Sequence, residues 1–559
     1  MPTTIVHWQL GANACDRLLL LQLSQGALGK EQPRYSRSFS DQMPMAMPMP
    51  FAIAALSVTL VAGTTVAPPS PPPPLSRCTE HRFKQLVDHF DGAQAVYWQQ
   101  RYFVCEPDWW QAPDGPIYFY SGNESPVEEY INNTGLMWEN AQADGALLVF
   151  GEHRFFGESW PFGTREASLR HLEVFTYDQA LAGYAVLVTA LKRDRGTECC
   201  PTVTFGGSYG AELSFGLRAK YPWVFDAALV ASGPLLTDIG DDIYGQARVM
   251  TNTTRVLAGE GCVQAFRETF AEVARLVNGS ASDREALGRE LRLCSAPGAD
   301  MLPTLRDWFQ QAIVYYTLSS YPFASTYMTL GVKPLPPYPM RPVCAALTAH
   351  GGSATAHGGA AAPPSMGALA DAMGIFYNLT GSVRCFDPAT QPPWAAVRPL
   401  CGFMMCRDQP YSGGFAADGV NDMFWPEPPL SLDALEAQCH AKWNVTRLAD
   451  ASSPLDRSAV HSLASFSNML FSNNLLDPAS SGGIKANLSA TLLAVNIPMM
   501  GHHADLMFSH PADTAELAAA RRFEMAHLRS WARLAHEERH RVRRVVVASV
   551  QFEVQSGVA

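Results

Sequence analysis

A glycine-bracketed serine, Gly206-Gly207-Ser208-Tyr209-Gly210, follows a short apolar run, TVTF at 202–205, and precedes a helical stretch, AELSFGLRAKYP at 211–222. No other feature constrains the fold as tightly. A strand that becomes a helix within a few residues must bend sharply, and the flanking glycines leave room for that bend. The bend sets Ser208 near a helix N-terminus, where partial positive charge favours an oxyanion. The pentapeptide alone occurs by chance in many proteins. Between a strand and a helix, it marks Ser208 as a nucleophile.

The surrounding chain fits that reading. Residues 117–121 (IYFYS), 146–150 (ALLVF) and 228–232 (ALVAS) read as buried strands, and residues 178–193 as a helix. Such alternation gives a mostly parallel sheet with helices on both faces. From about 240 to 450 the pattern changes. Segments such as 263–277 have helical period, seven cysteines lie between Cys262 and Cys439, and His350 to Met366 is a low-complexity loop. Strands return at 468–472 (NMLFS) and 492–497 (LLAVNI), and residues 513–539 form a long amphipathic closing helix. The expected fold is an α/β-hydrolase core with an inserted, mostly helical cap domain. The core occupies 78–238 and 456–545, the cap 239–455, and a tail 546–559.

A serine hydroxyl needs a base, and the base an orienting acid. In this fold they follow the serine in the order acid, then histidine. Asp477 lies just after NMLFS, and His502 and His503 just after LLAVNI. Both loops would open at the carboxyl ends of strands. The residues alone do not choose between the two histidines.

Composition narrows the setting. A net charge of -11 argues against nucleic acid as a partner. Twelve cysteines without paired C-x-x-C units point to disulfides and an oxidising compartment rather than a zinc ribbon. Eleven fall in the folded region, so at least one lacks an intramolecular partner; the adjacent Cys199 and Cys200 are the expected place for a free thiol. Seven N-x-S/T sequons, at Asn123, Asn132, Asn252, Asn278, Asn378, Asn444 and Asn487, agree with export. The apolar run Phe51 to Gly63 suits a signal peptide within 43–67 and is too short to span a bilayer. Residues 1–42 read as an extension upstream of a true start at Met43, Met45 or Met47, and 68–77 as a stiff proline-rich linker. No stable membrane insertion is expected, and a homodimer is left open.

Longer motifs carry a resemblance. FKQLVDHF at 83–90, QQRYFV at 99–104, PIYFYSGNES at 116–125, GALLVFGEHRFFGESWPFG at 145–163, GGSYG at 206–210, FSNNLLDPASSGGI at 471–484 and GHHADL at 501–506 are among them. With these, the chain resembles the serine carboxypeptidase family of lysosomal Pro-X carboxypeptidase and dipeptidyl peptidase II. The resemblance implies a triad of Ser208, Asp477 and His502, with His503 as a packing neighbour. It places the loop Gly122-Asn123-Glu124 beside the active site. There the Tyr209 N–H and one loop N–H would form an oxyanion hole, Asn123 would escape glycosylation, and Glu124 would hold a substrate ammonium. It further implies cleavage after proline near a peptide end, as a dipeptidyl peptidase or a Pro-X carboxypeptidase, in a lysosome, vacuole or extracellular space. No metal or cofactor is required. An inactive binding relative and an esterase or lipase on the same fold are the competing readings. The chain departs from the family at Ala479, at Ala211-Glu212, at Ser320 and at Met507, where the family usually has arginine.

Overall fold

A computed structural model describes residues 74–93, 95–236, 242–349, 365–389, 398–408, 417–426, 432–445 and 463–556. The signal-like run, the 1–42 extension, most of the proline-rich linker and the loop 350–364 lie outside these residues. Leu75–Arg541 forms one compact unit. The sheet belongs to Leu75–Arg541.

Eight strands form one sheet in the order β1-β2-β4-β3-β5-β6-β7-β8. They are β1 (Cys78–Leu86), β2 (Tyr97–Cys105), β3 (Ile117–Ser121), β4 (Leu147–Gly151), β5 (Thr202–Gly207), β6 (Ala227–Ala231), β7 (Met469–Asn474) and β8 (Leu492–Ile497). β1 pairs antiparallel with β2, and β2 with β4; every other pairing is parallel. Strand order and connection establish the α/β-hydrolase core. The buried strands fall within a residue or two of their expected positions. β1 and β2 escape a search for apolar runs because β1, CTEHRFKQL, is an edge strand whose exposed positions are polar.

Strands β3 to β6 are buried at every position, as parallel strands covered on both faces must be. Alternate side chains enter different cores. Ile117, Phe119, Leu147 and Val149 pack against Leu181, Val188, Leu213 and Leu217 of the helices Tyr177–Asp194 and Tyr209–Lys220. Tyr118, Tyr120, Leu148 and Phe150 pack against Leu136, Trp138, Met525 and Leu528 on the other face. The period of two thus gives each strand two apolar faces. Burying a large apolar side chain contributes about 1.5–3 kcal/mol.

The chain between β6 and β7 is helical. Among the described residues it holds Gly245–Ala258, Glu260–Val277, Ala281–Glu290, Leu302–Leu318, Met340–Thr348, Met366–Tyr377, Arg398–Arg407 and Leu432–Trp443. It has an apolar core of its own, which includes Phe266, Phe270, Phe309, Tyr316 and Met373. Disulfides Cys262–Cys344, Cys294–Cys385 and Cys406–Cys439 cross-link it, and Cys78–Cys105 joins β1 to β2. Of the adjacent cysteines, only Cys200 is free; Cys199 is disulfide-bonded, and Cys401 is a second free thiol.

The closing helix spans Ala515–Ser556, well beyond the expected end near residue 539 and through most of the expected tail. Nothing breaks it sooner, since residues 540–556 contain neither glycine nor proline. No described helix is long and apolar enough to cross a membrane.

Candidate active site

The candidate residues follow the carboxyl ends of β5, β7 and β8. At the first of them, Ser208 adopts φ 60° and ψ −129°, a positive φ uncommon outside glycine. Its N–H donates to Ala231 O, 3.0 Å away, which ties the elbow to β6. The bracketing glycines are required. A Cβ on Gly206 would stand 1.9 Å from Gly210 O, and one on Gly207 would stand 2.6 Å from Cδ2 of His503.

Asp477 is fully buried and caps the turn Pro478–Gly482. Its Oδ1 accepts the Ala479 N–H at 2.9 Å, and its Oδ2 accepts from His502 Nδ1 at 2.7 Å. With both oxygens occupied, the carboxylate fixes the imidazole's orientation and its tautomer. His502 thus has Nε2 as its remaining ring nitrogen. The rings of His502 and His503 lie 4.3 Å apart between centroids, and the His503 ring covers Gly207. His503 is thus the histidine that touches the glycine just before Ser208, and His502 is its immediate neighbour.

The second histidine is engaged otherwise. His503 has φ 34°; its N–H donates to Ser232 Oγ at 3.0 Å, and its Nε2 meets the Tyr327 hydroxyl at 3.2 Å. Burial, then repulsion from His502, pushes its pKa well below the usual histidine range. A polar cluster lies underneath. Asn474 Nδ2 donates to Asp505 Oδ1 at 2.6 Å, and Ser472 Oγ donates to Asp505 Oδ2 at 2.7 Å. Sequence reading did not single out Ser232, Asn474 or Asp505, although all three lie within or beside quoted motifs.

The inserted region fixes the His502 loop, which sequence reading also missed. The His502 N–H donates to Leu318 O, at the end of the helix Leu302–Leu318, at 2.8 Å, and the Tyr321 hydroxyl donates to His502 O at 3.0 Å. Gly501 permits this approach, since a Cβ there would lie 2.4 Å from Leu318 O. Met507, in the family's arginine position, is buried in an apolar cluster with Tyr321, Ile497 and Leu517.

The loop after β3 forms the opposite wall. The Gly122 N–H is bound to Gly151 O at 3.1 Å. Asn123 is 4% exposed, too enclosed for a glycan, whereas Asn132, Asn252, Asn278, Asn444 and Asn487 are exposed. Its Nδ2 donates to Glu124 Oε2 at 2.5 Å, and its Oδ1 has no hydrogen-bond partner. Glu124 is half-buried. Desolvation raises its pKa, against the lowering effects of its own N–H, the Asn123 amide and a charge on His502.

The family model described as serine carboxypeptidase S28 matches residues 85–355. Lysosomal Pro-X carboxypeptidase of Mus musculus is 32% identical over 470 residues, 83% of this chain and 91% of that one. The Homo sapiens protein of the same name is 31% identical over 87% of this chain and 95% of its own length. Prolyl carboxy peptidase like protein 5 of Caenorhabditis elegans is 28% identical over 81% and 89%.

Proposed function

Because this chain belongs to the serine carboxypeptidase S28 family and is a serine-type peptidase, we propose that it cleaves after proline at the carboxyl end of peptides, through an acyl-enzyme on Ser208. Ser208 Oγ attacks the prolyl carbonyl carbon while His502 Nε2 takes its proton. The tetrahedral intermediate collapses, the C–N bond breaks, and the imidazolium protonates the departing amine. Water then attacks the ester carbonyl carbon while His502 Nε2 takes a proton from it, and that proton passes to Ser208 Oγ as the acyl C–O bond breaks and the acid leaves. Asp477 holds the Nδ1–H tautomer throughout.

The observation that carries this reading is the 2.7 Å bond between His502 and the fully buried Asp477, beside the strained turn at Ser208. For the oxyanion we assign the N–H of Tyr209, first residue of its helix, and that of Asn123. Gly122 N–H is bound to Gly151, and Glu124 N–H serves its own carboxyl. Removal of one such donor typically costs about 10²–10³ in kcat.

Glu124 supplies the choice of peptide end. In its neutral form the carboxyl donates a hydrogen bond to a substrate's terminal carboxylate; ionised, it pairs with a terminal ammonium. The raised pKa and the names of the relatives favour the carboxylate. The ionised form supports the second reading, a dipeptidyl peptidase. Hydrolysis of an N-blocked peptide ending in Pro-X, compared with a dipeptidyl arylamide ending in proline, separates the two. The proposal expects the blocked peptide to be turned over faster at acidic pH; turnover of the arylamide alone would reverse the assignment. The disulfides named above and the exposed sequons support a place in the secretory pathway, and the lysosomal relatives support a lysosomal or vacuolar destination.

A further inference from the structure

At the amino ends of the parallel strands, opposite the candidate active site, the closing helix presents two histidines to an aspartate. His536 and His540 are one helical turn apart, so both side chains lie on the same face, and their ring centroids are 4.2 Å apart. Each Nε2 lies 3.6 Å from Asp114 Oδ1, in the turn before β3. All three ligand atoms fall within 4.8 Å of one another.

We propose that Asp114, His536 and His540 form a binding site for a borderline transition cation, zinc or copper(II). Two imidazoles and one carboxylate select these metals over magnesium or calcium, which prefer oxygen alone. Bonds of about 2.0–2.2 Å to a tetrahedral zinc place ligand atoms roughly 3.4 Å apart, so the two 3.6 Å spacings from Asp114 to the histidines are close to what the ion needs. Asp114 and His540 are solvent-accessible, which gives the ion an entry path, and a groove of about 450 Å³ beside Asp114 and His536 has room for a water as fourth ligand.

The scaffold around the site is already rigid. Arg529 donates to Asp144 Oδ1 at 2.6 Å, and Arg539 donates to both oxygens of Asp226 at 2.9 and 2.5 Å. These pairs bracket His536 and pin the helix across the starts of β4 and β6. On the other side, the Gln111 N–H donates to Gly145 O at 3.0 Å, and the Trp110 indole donates to Gly115 O at 2.9 Å, fixing the Asp114 turn. A bound cation would clamp the turn to the helix and leave the chemistry at the far end of the sheet unchanged.

Calorimetric titration of the chelator-treated full-length protein with zinc chloride tests the site, alongside His536→Ala/His540→Ala and Asp114→Asn. One equivalent should bind to the wild type. The double variant should lose at least about tenfold in affinity, since even an outer-shell partner is worth about 10–100-fold, and Asp114→Asn should fall between. Zinc should raise the Tm of the wild type and not that of the double variant. Labelling of the nucleophile by a fluorophosphonate probe should be equal in all forms, showing that the variants fold. Zinc binding of the same strength in the double variant, or no saturable binding by the wild type, would overturn the proposal.

Discussion

At the scale of single residues, the chemistry was more legible than the environments that tune it. Ser208, Asp477 and His502 stand out because the bend, the chain order and the positions after strands restrict what they can be. The choice of His502 over His503 came from resemblance, and its geometric reason appears only in three dimensions: one ring is bound to Asp477, the other to Ser232 and Tyr327. Glu124 was visible as a charged residue, but its burial was not. Because burial raises its pKa, its neutral form persists above the usual carboxylate range of about 4.3. As pH rises beyond that range and the carboxyl ionises, the hydrogen bond to a terminal carboxylate gives way to repulsion, so KM for Pro-X substrates should rise. Glu124→Gln keeps a donor and cannot ionise, and its KM should stay flat over the same range. Parallel KM–pH curves for the two enzymes would remove Glu124 from recognition of the carboxylate.

At the scale of elements, the strands buried on both faces were legible as apolar runs, and the helices by their period. The antiparallel pair β1 and β2 was not, because its polar positions suit the edge of a sheet. Docking of the inserted region on the His502 loop was hidden for another reason: Tyr321 and His502 are 181 residues apart, and no local pattern records that contact. Tyr321→Phe deletes the bond to the His502 carbonyl while keeping the ring in its apolar cluster. A hydrogen bond contributes about 0.5–1.5 kcal/mol, so kcat should fall roughly 2–10-fold with KM and Tm nearly unchanged. An equal rise in KM would show that Tyr321 serves the substrate rather than the imidazole.

At the scale of the whole molecule, buried ionisable groups set opposing pH limits on stability. Burial pushes Asp408 up to about 7. Its Oδ2 accepts the Tyr177 N–H at 3.1 Å, at the start of the helix Tyr177–Asp194. The unfolded chain releases this proton near pH 4, so the stabilisation is full below that value and is lost as pH rises towards 7. Burial also lowers His89 to about 4 and His153 to about 3. These histidines act in the other sense: the unfolded chain takes up their protons below about 6.5, and stability falls with further acidification. Tm should therefore peak on the acid side of neutrality. Asp408→Asn, which keeps an oxygen for the Tyr177 N–H, should raise Tm at pH 7 relative to the wild type by an amount worth on the order of a few kcal/mol. At pH 4.5 it should change little. A wild-type Tm that climbs steadily to pH 8 would contradict this balance.

The proposed catalysis rests on the hydroxyl at position 208 becoming a nucleophile through the imidazole at 502. Peptide mapping after reaction with a fluorophosphonate probe tests this most directly. The adduct should map to Ser208 alone, vanish in Ser208→Ala, and form at least about 10³-fold more slowly in His502→Ala. Stoichiometric labelling of another serine, or undiminished labelling of the His502 variant, would contradict it.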